Sequence, residues 1–225
     1  MSKSYYWQNF RKNTMFILLV LFDMVLVLLH LMFGREFSTF NLDMEQNVPT
    51  LYQSGKLIIA GVILLLILFR RIGTVKLIWF KVPLSLLLIA LGIDELMQIH
   101  ENVYRLFEFS EWLHPSRVVD LSTRMGYRSS LWILYYLPVI VILVFWGGYW
   151  FRHFQTTFER NYKYLCVSGC LFLIILFAEI LSTSGSYSQT MYFWLITIEE
   201  TAEMLFASVL ILLGINSIPS NSKED

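Results

Sequence analysis

Long apolar runs separated by short polar breaks dominate the chain, and the breaks set the predicted architecture. Residues 15–33 are apolar apart from Asp23 and His30. A second helix is predicted from Pro49 to about Arg71, continuously apolar over 57–69, and a third begins near Leu77. Three more follow over 131–151, 164–181 and 191–213. An α-helix needs about 20 apolar residues to cross the hydrocarbon core of a bilayer. The pattern therefore predicts an all-α, polytopic transmembrane bundle of six helices. Residues 1–215 would form one domain, and 216–225 a disordered cytoplasmic tail.

The breaks carry their own signals. Asn47 or Val48 followed by Pro49 reads as a helix start, because proline in the first turn loses no hydrogen bond. Pro83 falls in an early turn of the third helix, where it is tolerated. Lys56, near the outer end of the second helix, is expected to snorkel to the surface and to reach Glu101 at most. Residues 102–130 are too polar to span, yet Tyr104, Leu106, Phe107, Phe109 and Trp112 alternate there with Arg105, Glu108 and Glu111. That alternation predicts an amphipathic external segment between helices three and four, either prolonging helix three or lying in the interface. Gly147-Gly148 suggests close helix packing. The first run is too long for a signal peptide and no small-residue cleavage site follows it.

Composition agrees with lipid as the solvent. Of 225 residues, 56% are hydrophobic and only 15% charged, against about 25% charged in a typical soluble domain. Formal net charge is zero, so no basic balance points to nucleic acid. Cys166 and Cys170, four apart in one apolar run, cannot bridge within a helix and read as packing residues. Arg70, Arg71, Lys76, Lys81, Arg152, Arg160 and Lys163 fall on the side of the basic N-terminus. The positive-inside rule then places both termini in the cytoplasm and the protein in the plasma (inner) membrane.

Against this background the intramembrane charges stand out. Asp94, Glu95, Gln98, His100 and Glu101 cluster at the far end of the third helix. At about 100° per residue, Asp94, Gln98 and Glu101 share one face, while His100 joins them only if the helix bends. Glu199, Glu200 and Glu203 crowd one arc of the sixth helix, and Glu179 lies near the outer end of the fifth. Counting about 1.5 Å per residue, Asp94 lies roughly 8 Å, Glu199 13 Å, Asp23 15 Å and Glu203 19 Å below the outer boundary. Charges at that depth are costly and mark functional sites. Carboxylates so close cannot all stay ionised without a cation or protons. Carboxylates with imidazole suit iron, zinc or manganese as a divalent metal cofactor. The expected ligands are Asp94, Glu101, Glu199, Glu203 and His100. Glu101 and Glu200 are the expected acid/base groups, with Asp23, His30, Glu95, Gln98 and Glu179 supporting them.

Three families share parts of these motifs. Glu199-Glu200 resembles the start of the Glu-Glu-x-x-x-Arg motif of CAAX-type intramembrane proteases, although position 204 is Met. Di-iron carboxylate bundles carry Glu-x-x-His, where this chain has His100-Glu101 and Glu200-x-x-Glu203. The chain most resembles a family of uncharacterised bacterial multi-pass membrane proteins. The shared motifs are Leu42-Asp43-x-Glu45-x-Asn47-x-Pro49-Thr50, Asp94-Glu95…His100-Glu101 and Glu199-Glu200-x-x-Glu203. The favoured expectation is a membrane-embedded metalloenzyme acting on a lipid-like substrate. A cation- or proton-coupled transporter using the same carboxylates, and a structural subunit that docks a membrane-protein partner through the aromatic loop, are the alternatives.

Overall fold

The structure, a computed structural model, describes residues 3–44, 46–70, 75–124, 131–154, 162–184 and 187–216. Its helices are α1 (Lys3–Phe33), α2 (Val48–Arg70), α3 (Val75–Met97), α4 (Ile99–Asn102), α5 (Pro115–Arg124), α6 (Leu131–Phe154), α7 (Tyr162–Ser184) and α8 (Gln189–Asn216). Short 3-10 turns cover Ser38–Phe40 and Val103–Phe107, and no strand occurs among the described residues. Arg71, Arg160 and the expected tail over 217–225 lie outside the described residues, as does Glu45.

Among the described residues, four helices are long and apolar enough to cross a membrane: Lys12–Phe33, Val48–Leu66, Trp132–Trp150 and Tyr162–Ser182. A fifth results if Ile78–Met97 and Ile99–Phe107, bent by 71° at their junction, count as one span. α8 is 28 residues long but interrupts its apolar length with Glu199, Glu200 and Glu203.

α8 is the central helix. Its residues Ala207 to Gly214 are buried in unbroken succession, as a helix apolar on nearly every side allows, Ser208 being the exception. α1, α2 and α7 pack on it, and α3 packs on α2. Leu57, Ala60 and Leu64 of α2, Leu88 of α3, and Ala207, Leu210, Ile211 and Leu213 of α8 form the main core. In lipid the tails are as apolar as leucine, so contact distance decides which helices associate. Glycine supplies that contact between α2 and α3. A Cβ at Gly92 would lie 2.7 Å from Ile58 Cγ1 and 2.8 Å from the Ser54 carbonyl, and one at Gly61 would lie 2.7 Å from the Ser85 carbonyl. The Ser54 hydroxyl donates to the Gly92 carbonyl at 2.6 Å. Gly147 and Gly148, expected to pack closely, instead face open space on α6. The aromatic neighbours Trp146 and Trp150 make that contact, stacking around Phe80 of α3.

One end of the bundle gathers the ends of α1, α3 and α7 and the starts of α2, α6 and α8; we call it the distal end. Asn47 organises it. Its side-chain oxygen accepts from the Thr50 N–H at 3.1 Å, capping α2. Its amide donates to the carbonyls of Ser38 (3.3 Å) and Asn41, tying the preceding loop to the helix start. Leu42 plugs the same loop into Leu26 and Met204. The Leu42–Thr50 motif thus folds the loop back onto the bundle.

Candidate functional site

The break at Gln98 sets the geometry of the first cluster. Gln98 adopts a left-handed conformation, φ 54°, ψ 39°, which ends α3 and starts α4 in a new direction. Its carbonyl accepts from the Asn102 amide at 2.9 Å, and its side chain accepts from Gln46. The expected continuous face of Asp94, Gln98 and Glu101 therefore does not form. Instead the bend carries His100 back, and its Nδ1 lies 3.0 Å from Asp94 Oδ2. His100 meets Trp132 of α6 edge-on at 5.5 Å. The second carboxylate oxygen of Asp94, Oδ1, is buried without a hydrogen-bond partner. Glu101 lies beyond the bend, exposed, and Glu95 is half-buried.

From Trp132 the polar contacts continue inward. Its indole N–H donates to Glu179 Oε1 on α7 at 3.0 Å. Glu199 on α8 lies close enough to Glu179 for the two carboxyls to interact, with Glu200 and Glu203 in electrostatic range. Glu199 is 7% exposed, and its Oε2 has no hydrogen-bond partner. Gln53 of α2 donates to Glu203 Oε2. Asp94, His100, Trp132, Glu179 and Glu199 thus mark a polar path through α3, α4, α6, α7 and α8. The described residues contain no group of three or more His, Cys, Asp or Glu arranged to hold a metal ion.

Asp23 belongs to a separate site, and here the expectation for Lys56 is overturned. Lys56 does not snorkel to the surface or reach Glu101; it is 3% exposed and its Nζ lies 2.6 Å from Asp23 Oδ1. It also donates to the Met204 carbonyl at 2.8 Å and the Ser208 hydroxyl at 3.2 Å. Ser208 in turn donates to Asp23 Oδ2 at 2.7 Å, and the Tyr52 ring lies 4.3 Å from Nζ. The lysine stem turns inward because three polar partners and an aromatic ring face await it within the bundle. A buried charge this completely paired and hydrogen-bonded is tolerable where a solitary one is not. Gln53 and Lys56, three apart on α2, place an amide and an ammonium on one face of an apolar helix. That i, i+3 spacing is the signal that could have exposed them.

His30 lies outside this pair. Its Nδ1 accepts from the Leu42 N–H at 3.1 Å, so Nε2 carries the proton and meets Thr197 Oγ1 at 3.2 Å. The Thr197 hydroxyl donates to the Phe193 carbonyl at 2.7 Å, which leaves its oxygen free to accept. Both imidazole nitrogens are thereby used to hold the loop against α8.

Beside His30 a cavity of about 290 Å³ opens at the distal end, lined by Arg35, Asn41, Asp43, Gln189, Thr190 and Tyr192 among others. Tyr192 donates to Asp43 Oδ1 at 2.9 Å. Burial pushes the Asp43 carboxyl up from its usual value of 3.8, an effect that Tyr192 and His30 partly offset.

A family model described as a domain of unknown function, DUF8692, matches residues 16–215. The chain belongs to the DUF8692 family. The match takes in α1 from its fourth turn onward through all but the last residue of α8. It therefore covers both buried polar sites and the distal loop, and the family is one to which no activity is attached. No curated protein and no solved structure matches the chain.

Proposed function

We propose that this DUF8692 protein is a six-span plasma-membrane protein, both termini cytoplasmic, whose outer-half carboxylates handle a cation. α8 supplies the sixth span, its glutamates facing protein partners and not lipid. The observation that carries the reading is the buried Glu199, with one unpartnered carboxylate oxygen and with Glu179, Glu200 and Glu203 around it. Carboxyls gathered in this way need a shared proton or a bound cation to coexist. The path from His100 through Trp132 and Glu179 to Glu199 leads that cation inward from the distal surface. A relay of this kind fits a proton- or cation-coupled transporter.

A second reading rests on a different observation, the Asp94–His100 pair. An imidazole oriented by a carboxylate is the arrangement of a positioned general base. It sits at the membrane boundary, where a lipid-like substrate would present its polar part. A divalent metal (iron, zinc or manganese) held by Asp94, His100 or Glu199 would supply Lewis-acid chemistry and make this the membrane-embedded metalloenzyme expected from the sequence, with Glu101 or Glu200 assisting.

One experiment separates the readings. Difference infrared spectroscopy of the purified full chain should show a protonated-carboxyl band that Glu199→Gln removes. Adding iron, zinc or manganese should leave the band in place if the site handles protons. Stoichiometric metal uptake that abolishes the band would establish the metalloenzyme reading. With neither a band nor metal uptake, the cation site does not exist and a structural subunit remains.

A further inference from the structure

The distal cavity opens beside the carboxylate path, with Tyr192 in electrostatic range of Glu179 and Glu199, but the inference drawn from it rests on Arg35 and Asp43 and does not depend on the cation reading. It lies between the end of α1, the loop that Asn47 ties down, and the first turns of α8. Its volume of about 290 Å³ has room for roughly ten water-sized groups, at about 30 Å³ each. Two opposite charges line it, Arg35 and Asp43, yet they do not form an ion pair with each other among the described residues. The Arg35 guanidinium is held 4.7 Å above the Phe193 ring, and no carboxylate among the described residues engages it. Stacking fixes the plane of the guanidinium and leaves its N–H fork free, the geometry that suits a phosphate. Asp43 uses Oδ1 for Tyr192, which leaves Oδ2 to accept from an ammonium. Asn41, Gln189 and Thr190 add neutral donors and acceptors between them.

A cavity that keeps a cation and an anion apart is complementary to a ligand with the reverse pair. We infer that it binds a phosphate–ammonium zwitterion, with phosphate on Arg35 and a primary ammonium on Asp43. The cavity lies where membrane-crossing helices begin and end, at the level of lipid headgroups. The occupant that fits both chemistry and place is the phosphoethanolamine headgroup of a phospholipid. A primary ammonium keeps the N–H donors that Asp43 Oδ2 requires, whereas a trimethylammonium has none. His30, its ring nitrogens already engaged, shapes the cavity floor without taking a charge from the ligand. Gly34 allows the chain to close over that ring, since a Cβ there would lie 2.5 Å from His30 Nδ1.

The test uses the full chain, delipidated in detergent, and native mass spectrometry with three probes. These are phosphatidylethanolamine, phosphatidylglycerol of the same acyl chains, and free phosphoethanolamine. Wild type should retain phosphatidylethanolamine roughly tenfold better than phosphatidylglycerol, the effect of one charge-assisted hydrogen bond. Arg35→Gln should lower retention of both lipids by about tenfold, and Arg35→Lys should recover part of it. Asp43→Asn should abolish the preference between the lipids while leaving phosphatidylglycerol retention at the wild-type level. If free phosphoethanolamine binds as well as the lipid, the zwitterion site stands and its ligand is soluble. Equal retention of the two lipids by wild type, or an unchanged Arg35→Gln protein with wild-type melting behaviour, would overturn the assignment.

Discussion

Replacing Lys56 by methionine tests the buried pair at the centre of the bundle. The ammonium makes three polar contacts, to Asp23 at 2.6 Å, the Met204 carbonyl at 2.8 Å and Ser208 at 3.2 Å. Without it, the Asp23 carboxylate is left at 0% exposure with the Ser208 hydroxyl still donating to it. Breaking a buried pair from one side costs about 3–5 kcal/mol, because the surviving charge has neither partner nor water. For a chain of this size that corresponds to a fall in melting temperature of roughly 6–20 °C. Asp23→Leu alone should be comparably damaging, since it strands the ammonium. The double variant Asp23→Leu/Lys56→Met removes both charges and should return to within about 1 kcal/mol of wild type. Thermal unfolding in one detergent, followed by tryptophan fluorescence, closes the cycle and should give a coupling above about 2 kcal/mol. If the single variants each melt like wild type, or the double simply adds their losses, Lys56 and Asp23 are not paired inside the bundle.

Four further outcomes are expected. Asn47→Ala removes the α2 cap and the loop ties together, and should cost about 1–2 kcal/mol and speed proteolysis of residues 38–47; unchanged cleavage would contradict the tie. Gly92→Ala pushes a methyl group against Ile58 and the Ser54 carbonyl and should destabilise by about 1–3 kcal/mol, whereas Gly148→Ala, facing open space, should not. Because the folded-state pKa of Asp43 is raised above 3.8, the wild type should lose stability relative to Asp43→Asn as pH rises from below 3.8 through that raised value; parallel melting curves across that range would contradict it. In intact cells an impermeant thiol reagent should label Ser186→Cys and spare Lys223→Cys, and the opposite pattern would invert the proposed orientation.

Much of the architecture is legible in the sequence because it follows from local constraints. Runs of apolar residues leave a helix no alternative in lipid, where every backbone N–H must be satisfied within its own segment. The start of α2 is equally local, since Asn47 caps the turn it begins. That Asp94 lies near the end of one helix and Glu199 and Glu203 toward the middle of another follows from counting residues along each helix. What periodicity leaves open is how each helix is rotated and which neighbour it meets, and those are properties of packing between helices. Lys56 illustrates this: from its own segment it reads as a snorkelling residue, and only the juxtaposition of α1, α2 and α8 gives it Asp23, Met204 and Ser208. Gln98 illustrates it a second time. Nothing in its neighbours' polarity announces a left-handed residue, yet that one backbone conformation breaks the expected face and brings His100 to Asp94. Trp132 and Gln53 enter the polar sites for the same reason, as single polar atoms on apolar helices whose partners lie far away in the chain. Which charges fall on the long apolar helices was therefore written in the order of residues, while their pairing was decided by how the helices turn to fill one another's grooves.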